Sequence, residues 1–296
     1  VGAKLRIVRR RIRSVQSTMK ITRAMELIAA SRIVKAQQRV FEARPYADLL
    51  TAAMEDVARQ TGSIVHPLLE ERETPARAGV LVMTSDRGLA GSFNANLLKR
   101  AEDVLARVRA RGVEPVLYLT GKKAVSYFRF RGVTPEARWT GFSEVPTYGA
   151  AEEVGRRMIE DFASGRIDEL DVVYTDFRSA FTFRATDKRF LPIAPEEVVA
   201  DPAGVPHPEY IFEPEPAQIL DELLPQYVIT KVYFALLESA ASENAARQRA
   251  MAAATDNAEE LTKVLTRQAN RARQDEITTE IMEIVGGAEA LAGSKE

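Results

Sequence analysis

Residues 80–100 read VLVMTSDRGLAGSFNANLLKR, an apolar run that ends in Thr84-Ser85-Asp86, then two glycines, then a helical pattern from Asn94. Strand, glycine turn and helix in that order can aim backbone N–H groups at a phosphate. The spacing argues against it. Gly88 and Gly91 stand as G-x-x-G, whereas a phosphate loop needs G-x-x-x-x-G-K-[ST]. A dinucleotide fingerprint needs G-x-G-x-x-G with an acid at the end of the next strand. The plainer expectation is a tight strand-to-helix turn, with Ser92 or Asn94 capping the helix.

Other chemistry is sparse. The chain has no cysteine and two widely separated histidines, His66 and His207, which leaves little for a thiolate or zinc site or for a histidine base. Charge is distributed unevenly behind a net of −1. Residues 1–39 carry eleven Lys/Arg against the single acid Glu26, and residues 190–225 carry eight acids and no Lys or Arg. The basic stretch fits a nucleic-acid arm, a membrane-surface helix, or the solvated face of a coiled coil. Its first aromatic is Phe41, so base stacking has no candidate there and the coiled-coil face is favoured. Near the other end Arg271, Arg273, Gln274, Thr278, Glu280 and Glu283 crowd one helical stretch. They read as a salt-laced solvent face or as a docking surface for surrounding subunits.

The elements that must carry these groups follow from where glycine and proline fall. Residues 3–44 and 226–285 contain neither, while 12 of 16 glycines and 13 of 14 prolines lie between residues 62 and 225. The second clean stretch could form a helix roughly 90 Å long, far beyond what an ordinary core covers. In the first, Val8, Ile12, Val15 and Met19 repeat at coiled-coil spacing, and Ile21, Met25 and Ile28 continue it one face over. In the second, Leu220, Leu224, Tyr227 and Val228 precede alanine-rich turns, then Leu261, Val264 and Leu265, then Ile277, Ile281 and Ile284. Pairing the two ends of the chain hides both seams. Between them strand-like runs at 80–84, 115–120, 170–177 and 181–193 alternate with helical runs at 94–111, 121–131 and 149–163. The fold class expected is therefore α/β with long helices: an antiparallel coiled coil of the N- and C-terminal helices plus a central Rossmann-like α/β domain with a mostly parallel sheet. The boundaries are 1–62 for the N-terminal shaft helix, 63–214 for the Rossmann-like domain and 215–296 for the C-terminal shaft helix. Residues 192–216, with seven prolines, read as an extended acidic connection. No run of about 18 apolar residues is present and the N-terminal stretch lacks the apolar core of a secretory signal, so no transmembrane segment is expected.

Three stretches carry a resemblance: IRSVQSTMKITRAMELIAASRIVKAQ near the start, SDRGLAGSFN in the middle, and SENAARQRAMAAATDNA with NRARQDEITTEIMEIVGGA near the end. Together they resemble the gamma subunit family of F-type ATP synthase, with Ile277, Thr278, Glu280, Glu283, Gly287 and Ala288 matching its C-terminal signature. The resemblance runs the length of the chain in order. It implies a non-catalytic central rotor with no cofactor and no catalytic site of its own. The partners it implies are three alpha and three beta subunits, an epsilon subunit and a membrane c-ring, with no nucleic acid. It implies beta-subunit contacts at Arg273, Gln274, Met25, Thr278 and Glu280, shaft-helix pairing at Met25 and Arg247, and a foot on the c-ring and epsilon at Tyr210 and Glu213. Ala90 stands where a cysteine is common in the family. The expected place is peripheral, on the cytoplasmic side of a bacterial membrane. The competing expectations are a nucleotide enzyme with a coiled-coil dimerisation arm, resting on residues 80–131, and a basic coiled-coil adaptor for nucleic acid.

Overall fold

A computed structural model describes residues 3–61, 66–179, 182–194 and 215–293. The chain divides into two compact units, Val1–Ile28 with Gln248–Glu296, and Ala29–Arg247. Helix α1 spans Ala3–Thr61 and runs on through Pro45, and the last helix, α5, spans Pro216–Gly293 and runs on through Pro225.

The first unit is an antiparallel helix pair. Along α1 the covered positions are Leu5, Val8, Ile12, Val15, Met19 and Thr22, at alternating spacings of three and four. On α5 they are Met251, Thr255, Ala258, Thr262, Leu265, Ala269 and Ala272, at spacings of four and three. This is a heptad seam on each helix. The Thr22 and Thr255 hydroxyls lie 2.7 Å apart and fix the register. With the helices antiparallel, Met19 comes level with Ala258, Ile12 with Leu265, and Leu5 with Ala272. The expected shift of the seam onto Ile21 and Ile28 is corrected, since these are 58% and 52% exposed while Thr22 is 8%. The physical reason is that Thr22 continues the 3.5-residue period and its hydroxyl is satisfied locally, with the Met19 carbonyl 3.0 Å away. A second correction concerns Ile277, Ile281 and Ile284, which are exposed rather than in the seam. At that level α1 has no described residue left to cover them.

The second unit holds a five-stranded sheet in the order β3-β2-β1-β4-β5. The strands are β1 Arg77–Met83, β2 Glu114–Thr120, β3 Ala137–Trp139, β4 Glu169–Phe177 and β5 Phe183–Leu191. β1 through β4 are parallel and β5 returns antiparallel along β4, with Thr175 opposite Ala185. The three-residue β3 went unrecognised in the sequence because its apolar content is too small for a periodic signal. Helices α2 (Phe93–Ala110) and α3 (Lys122–Phe130) cover one face, where Val80, Val82, Leu97, Val104 and Phe128 pack. Helix α4 (Tyr148–Ala163) covers the other with Met54 and Val57 of α1 and Leu224 and Val228 of α5, against Leu81 and Met83. Because both faces are covered, β1 is apolar at nearly every position instead of alternating. Gly155 lets α4 and α5 approach closely, since a Cβ there would stand 2.9 Å from the Ile229 side chain. Most of the expected acidic connection, residues 195–214, lies outside the described residues.

Candidate functional site

β1 lies between its parallel neighbours β2 and β4, and the loop beyond its C-terminal end sits where open α/β sheets bind ligands. In this chain the position is filled from within. The Thr84 hydroxyl donates to the Thr120 carbonyl at 3.0 Å and accepts from the Ala124 N–H at 2.9 Å. The Asp86 carboxylate accepts from the backbone N–H groups of Lys122 at 3.1 Å, Gly141 at 2.8 Å and Ser143 at 3.1 Å. Asp86 thus sits at the N-terminus of α3, where a phosphate would otherwise be drawn, and supplies the negative charge that this helix end favours. Gly121 permits the approach, because a Cβ there would lie 2.0 Å from the Thr84 carbonyl oxygen and φ is +86°.

The expected cap of α2 is corrected. Neither side chain caps it: Ser92 makes no capping bond, and Asn94 turns back to accept from the Ser85 N–H at 3.0 Å. The asparagine therefore staples the end of β1 to the start of α2. Ala90, in the same turn, is 2% exposed and packs in the core under α2.

The turn is also held by an ion cluster. Arg247, 4% exposed, donates to Glu243 at 2.6 Å and to the Gly88 carbonyl at 3.3 Å, and lies 3.4 Å from Glu144. Glu144 also pairs with Arg32 of α1 and, at 3.3 Å, with Arg87. Burial pushes the Glu243 carboxyl above its ordinary range, against the pull of Arg247. These residues join α1, α5 and the loops that follow β1 and β3. Such an arrangement fastens elements together. His66 is likewise engaged, accepting from the Leu68 N–H at 3.1 Å and lying 3.3 Å from Asp221. Burial lowers its pKa, opposed by Asp221. Among the described residues no group of three or more His, Asp or Glu is placed to hold a metal.

The residues singled out in the sequence fall in different places. Arg273, Gln274, Thr278 and Glu280 are all exposed, at and beyond the level where the helix pair ends. Helical spacing puts Arg273, Ile277, Glu280 and Ile284 on one face, and Gln274, Thr278, Ile281 and Val285 on the adjoining one. Each face mixes polar and apolar groups. Met25 is half-buried in the first unit, one turn on from Thr22, whereas Arg247 belongs to the second unit. Tyr210 and Glu213 lie outside the described residues. Asp86, Glu144 and Glu243 were missed. The signal for Glu243 was available, because Glu243 and Arg247 stand at i,i+4 ion-pair spacing inside a run of otherwise small, uncharged residues.

A family described as ATP synthase matches residues 4–291. The chain is 54% identical over 296 residues to the ATP synthase gamma chain of Parafrankia sp., covering 99% of each. It is 50% identical over 309 residues to that of Mycolicibacterium smegmatis, covering 100% of each. Its fold is similar to a chain in the Euglena gracilis mitochondrial ATP synthase, OSCP/F1/c-ring, in rotational state 3 (TM-score 0.67, 16% identity, covering 100% of this chain and 97% of that one). It is also similar to one in the Tetrahymena thermophila mitochondrial ATP synthase central stalk/c-ring (TM-score 0.59, 22% identity, covering 79% and 99%).

Proposed function

The chain belongs to the ATP synthase gamma chain family, and from that premise we propose that it is the central rotor of an F-type ATP synthase, without a catalytic site of its own. It couples proton-driven rotation of a membrane c-ring to conformational cycling of the catalytic beta subunits. The observation that carries the reading is the end of α5. Past Ala272, Ile277, Ile281, Met282, Ile284 and Val285 stay exposed among Arg273, Gln274, Thr278 and Glu280. A single helix with apolar residues on several sides calls for a surrounding sleeve, and polar groups among them supply contacts that can be made and released.

Coupling then works by differential contact. One asymmetric shaft touches three chemically identical beta subunits differently at each angle, so it stabilises a different conformation in each, and turning it cycles their nucleotide affinities. In this reading Arg273 and Gln274 hold a beta-subunit loop, the guanidinium fork meeting carboxylates or carbonyls. Met25, Thr278 and Glu280 add further beta contacts, and Met25 and Arg247 brace the shaft. Tyr210 and Glu213 form the foot on the c-ring and epsilon. The saturated turn around Asp86 supports a non-catalytic role, since the N–H groups a nucleotide would need are already engaged. The chain works at the cytoplasmic side of a bacterial membrane, with no helix of the described residues long and apolar enough to cross it. Neither nucleic acid nor a cofactor has a part in this reading.

Native purification with subunit counting tests the proposal. The expected result is one copy per three alpha and three beta chains. Arg273→Ala with Gln274→Ala should leave that stoichiometry intact while ATPase turnover and proton pumping fall together. Another stoichiometry would overturn the rotor reading, and normal turnover in the double variant would remove the beta-loop assignment.

A further inference from the structure

Between α2 and the β4–β5 hairpin lies a cleft of about 360 Å³. Thr175 is part of its lining. Val173 and Thr175 of β4 share the face that α2 covers, and Thr175 stands opposite Ala185, which also lines the cleft. Thr175 is 2% exposed, and its Oγ1 is buried with no hydrogen-bond partner among the described residues. A buried hydroxyl in that state is costly, whereas the buried Thr84 hydroxyl, one strand over, is met by the Thr120 and Gly121 carbonyls and the Ala124 N–H.

The polar groups around it are mostly donors. Lys99 and Arg100 of α2 and Arg184 of β5 line the cleft. Arg100 is engaged by Asp187 at 2.5 Å, while Lys99 and Arg184 have no ion pair among the described residues. Asp103 also lines the cleft and offsets one charge, which leaves the lining net positive. Phe93 and Phe183 supply apolar wall. A recess with an unmet hydroxyl and uncommitted cations lacks one thing, an acceptor. Oxyanions offer several acceptor oxygens and a charge that Lys and Arg recognise.

We propose that this cleft binds a small phosphate-type oxyanion, with the Thr175 hydroxyl donating from within and Lys99, Arg100 and Arg184 supplying the cationic wall. The site is separate from the turn that Asp86 fills, and it does not depend on the rotor assignment. Inorganic phosphate and the terminal phosphate of a nucleotide share the chemistry. Their difference is that a nucleotide must also leave its base and sugar outside a recess of this size.

The test is calorimetric titration of the full-length chain with inorganic phosphate at low ionic strength, with ADP and ATP in parallel. Saturable phosphate binding is expected, weakened about tenfold by Thr175→Val, which keeps the shape and loses the donor, and retained by Thr175→Ser. Nucleotide binding tighter than phosphate, and lost in the same variant, would identify a nucleotide phosphate as the occupant; equal or weaker binding would identify free phosphate. Where Thr175→Val fails to fold, Lys99→Ala with Arg184→Ala serves in its place. No saturable binding of either kind, or binding unchanged in these variants, overturns the proposal.

Discussion

A guanidinium buried as deeply as that of Arg247 is tolerated only where its charge is met on several sides. Here Glu243, Glu144 and the Gly88 carbonyl do so. Arg247→Met should therefore cost about 3 to 5 kcal/mol, mostly because Glu243, 1% exposed, is left charged without its partner. Arg247→Met with Glu243→Leu should recover much of that loss, since an apolar pair of similar volume replaces an ion pair whose desolvation was expensive. Denaturant unfolding of the single and double variants checks the order. At this scale the sequence was half legible. G-x-x-G spacing pointed to a strand-to-helix turn, and the glycines do lie between β1 and α2, because motif spacing is local information. It could not show that Asp86 fills the anion position, because Lys122, Gly141 and Ser143 reach that carboxylate from 36 to 57 residues away. Nor could it show that Asn94 staples rather than caps, which depends on where the Ser85 N–H points once β1 is in place.

The elements were largely legible wherever their periodicity was strong, and the misses share one cause. Apolar residues mark a helix face only when something is there to cover it. Ile21 and Ile277 looked like seam positions by residue type, while Thr22, a polar residue, holds the seam through Thr255, 233 residues on. The same dependence on partners governs Glu238 of α5, which meets the β4–β5 hairpin. Burial first and Asp176 second push its carboxyl up to about 7, against the opposing pull of Lys188 and the Phe177 backbone N–H. Its Oε2 is buried without a hydrogen-bond partner among the described residues. The ordinary value is 4.5, so the folded chain holds this proton more tightly than the unfolded chain. The stabilisation from protonation is full below about 4.5 and is lost as pH rises through about 7. Stability should thus decline across that window, by no more than about 3.5 kcal/mol at roughly 1.4 kcal/mol per pH unit. Glu238→Gln, neutral at every pH, should flatten that part of the profile and unfold at higher denaturant than the parent at pH 8. Unfolding midpoints measured from pH 5 to 8 decide it, and parallel profiles for the two chains would remove Glu238 as the source of the slope.

At the scale of the whole molecule, a rotor must be fixed to one set of neighbours and slip past another, and covalent links can separate the two conditions. The chain has no cysteine of its own, so introduced thiols are its only reactive ones. If residues near Glu213 turn together with the c-ring, a disulfide from Glu213→Cys to a c-ring loop joins parts that never move relative to each other. ATP-driven turnover should then stay largely intact. If α5 turns inside the catalytic head, a disulfide from Arg273→Cys to the facing beta-subunit loop joins parts that must slip. Turnover should stop, and reductant should restore it. Arg273 suits this use because it is exposed, at the level where the helix pair ends, so a cysteine there removes no packing from the seam. A static adaptor between the same neighbours predicts mild and similar effects from both links, because nothing in it has to slide. The comparison is made within each sample before and after reduction, with complete cross-linking shown on a gel, so losses in assembly cancel. Equal turnover in the two oxidised complexes would leave the family membership standing and take rotation away from it.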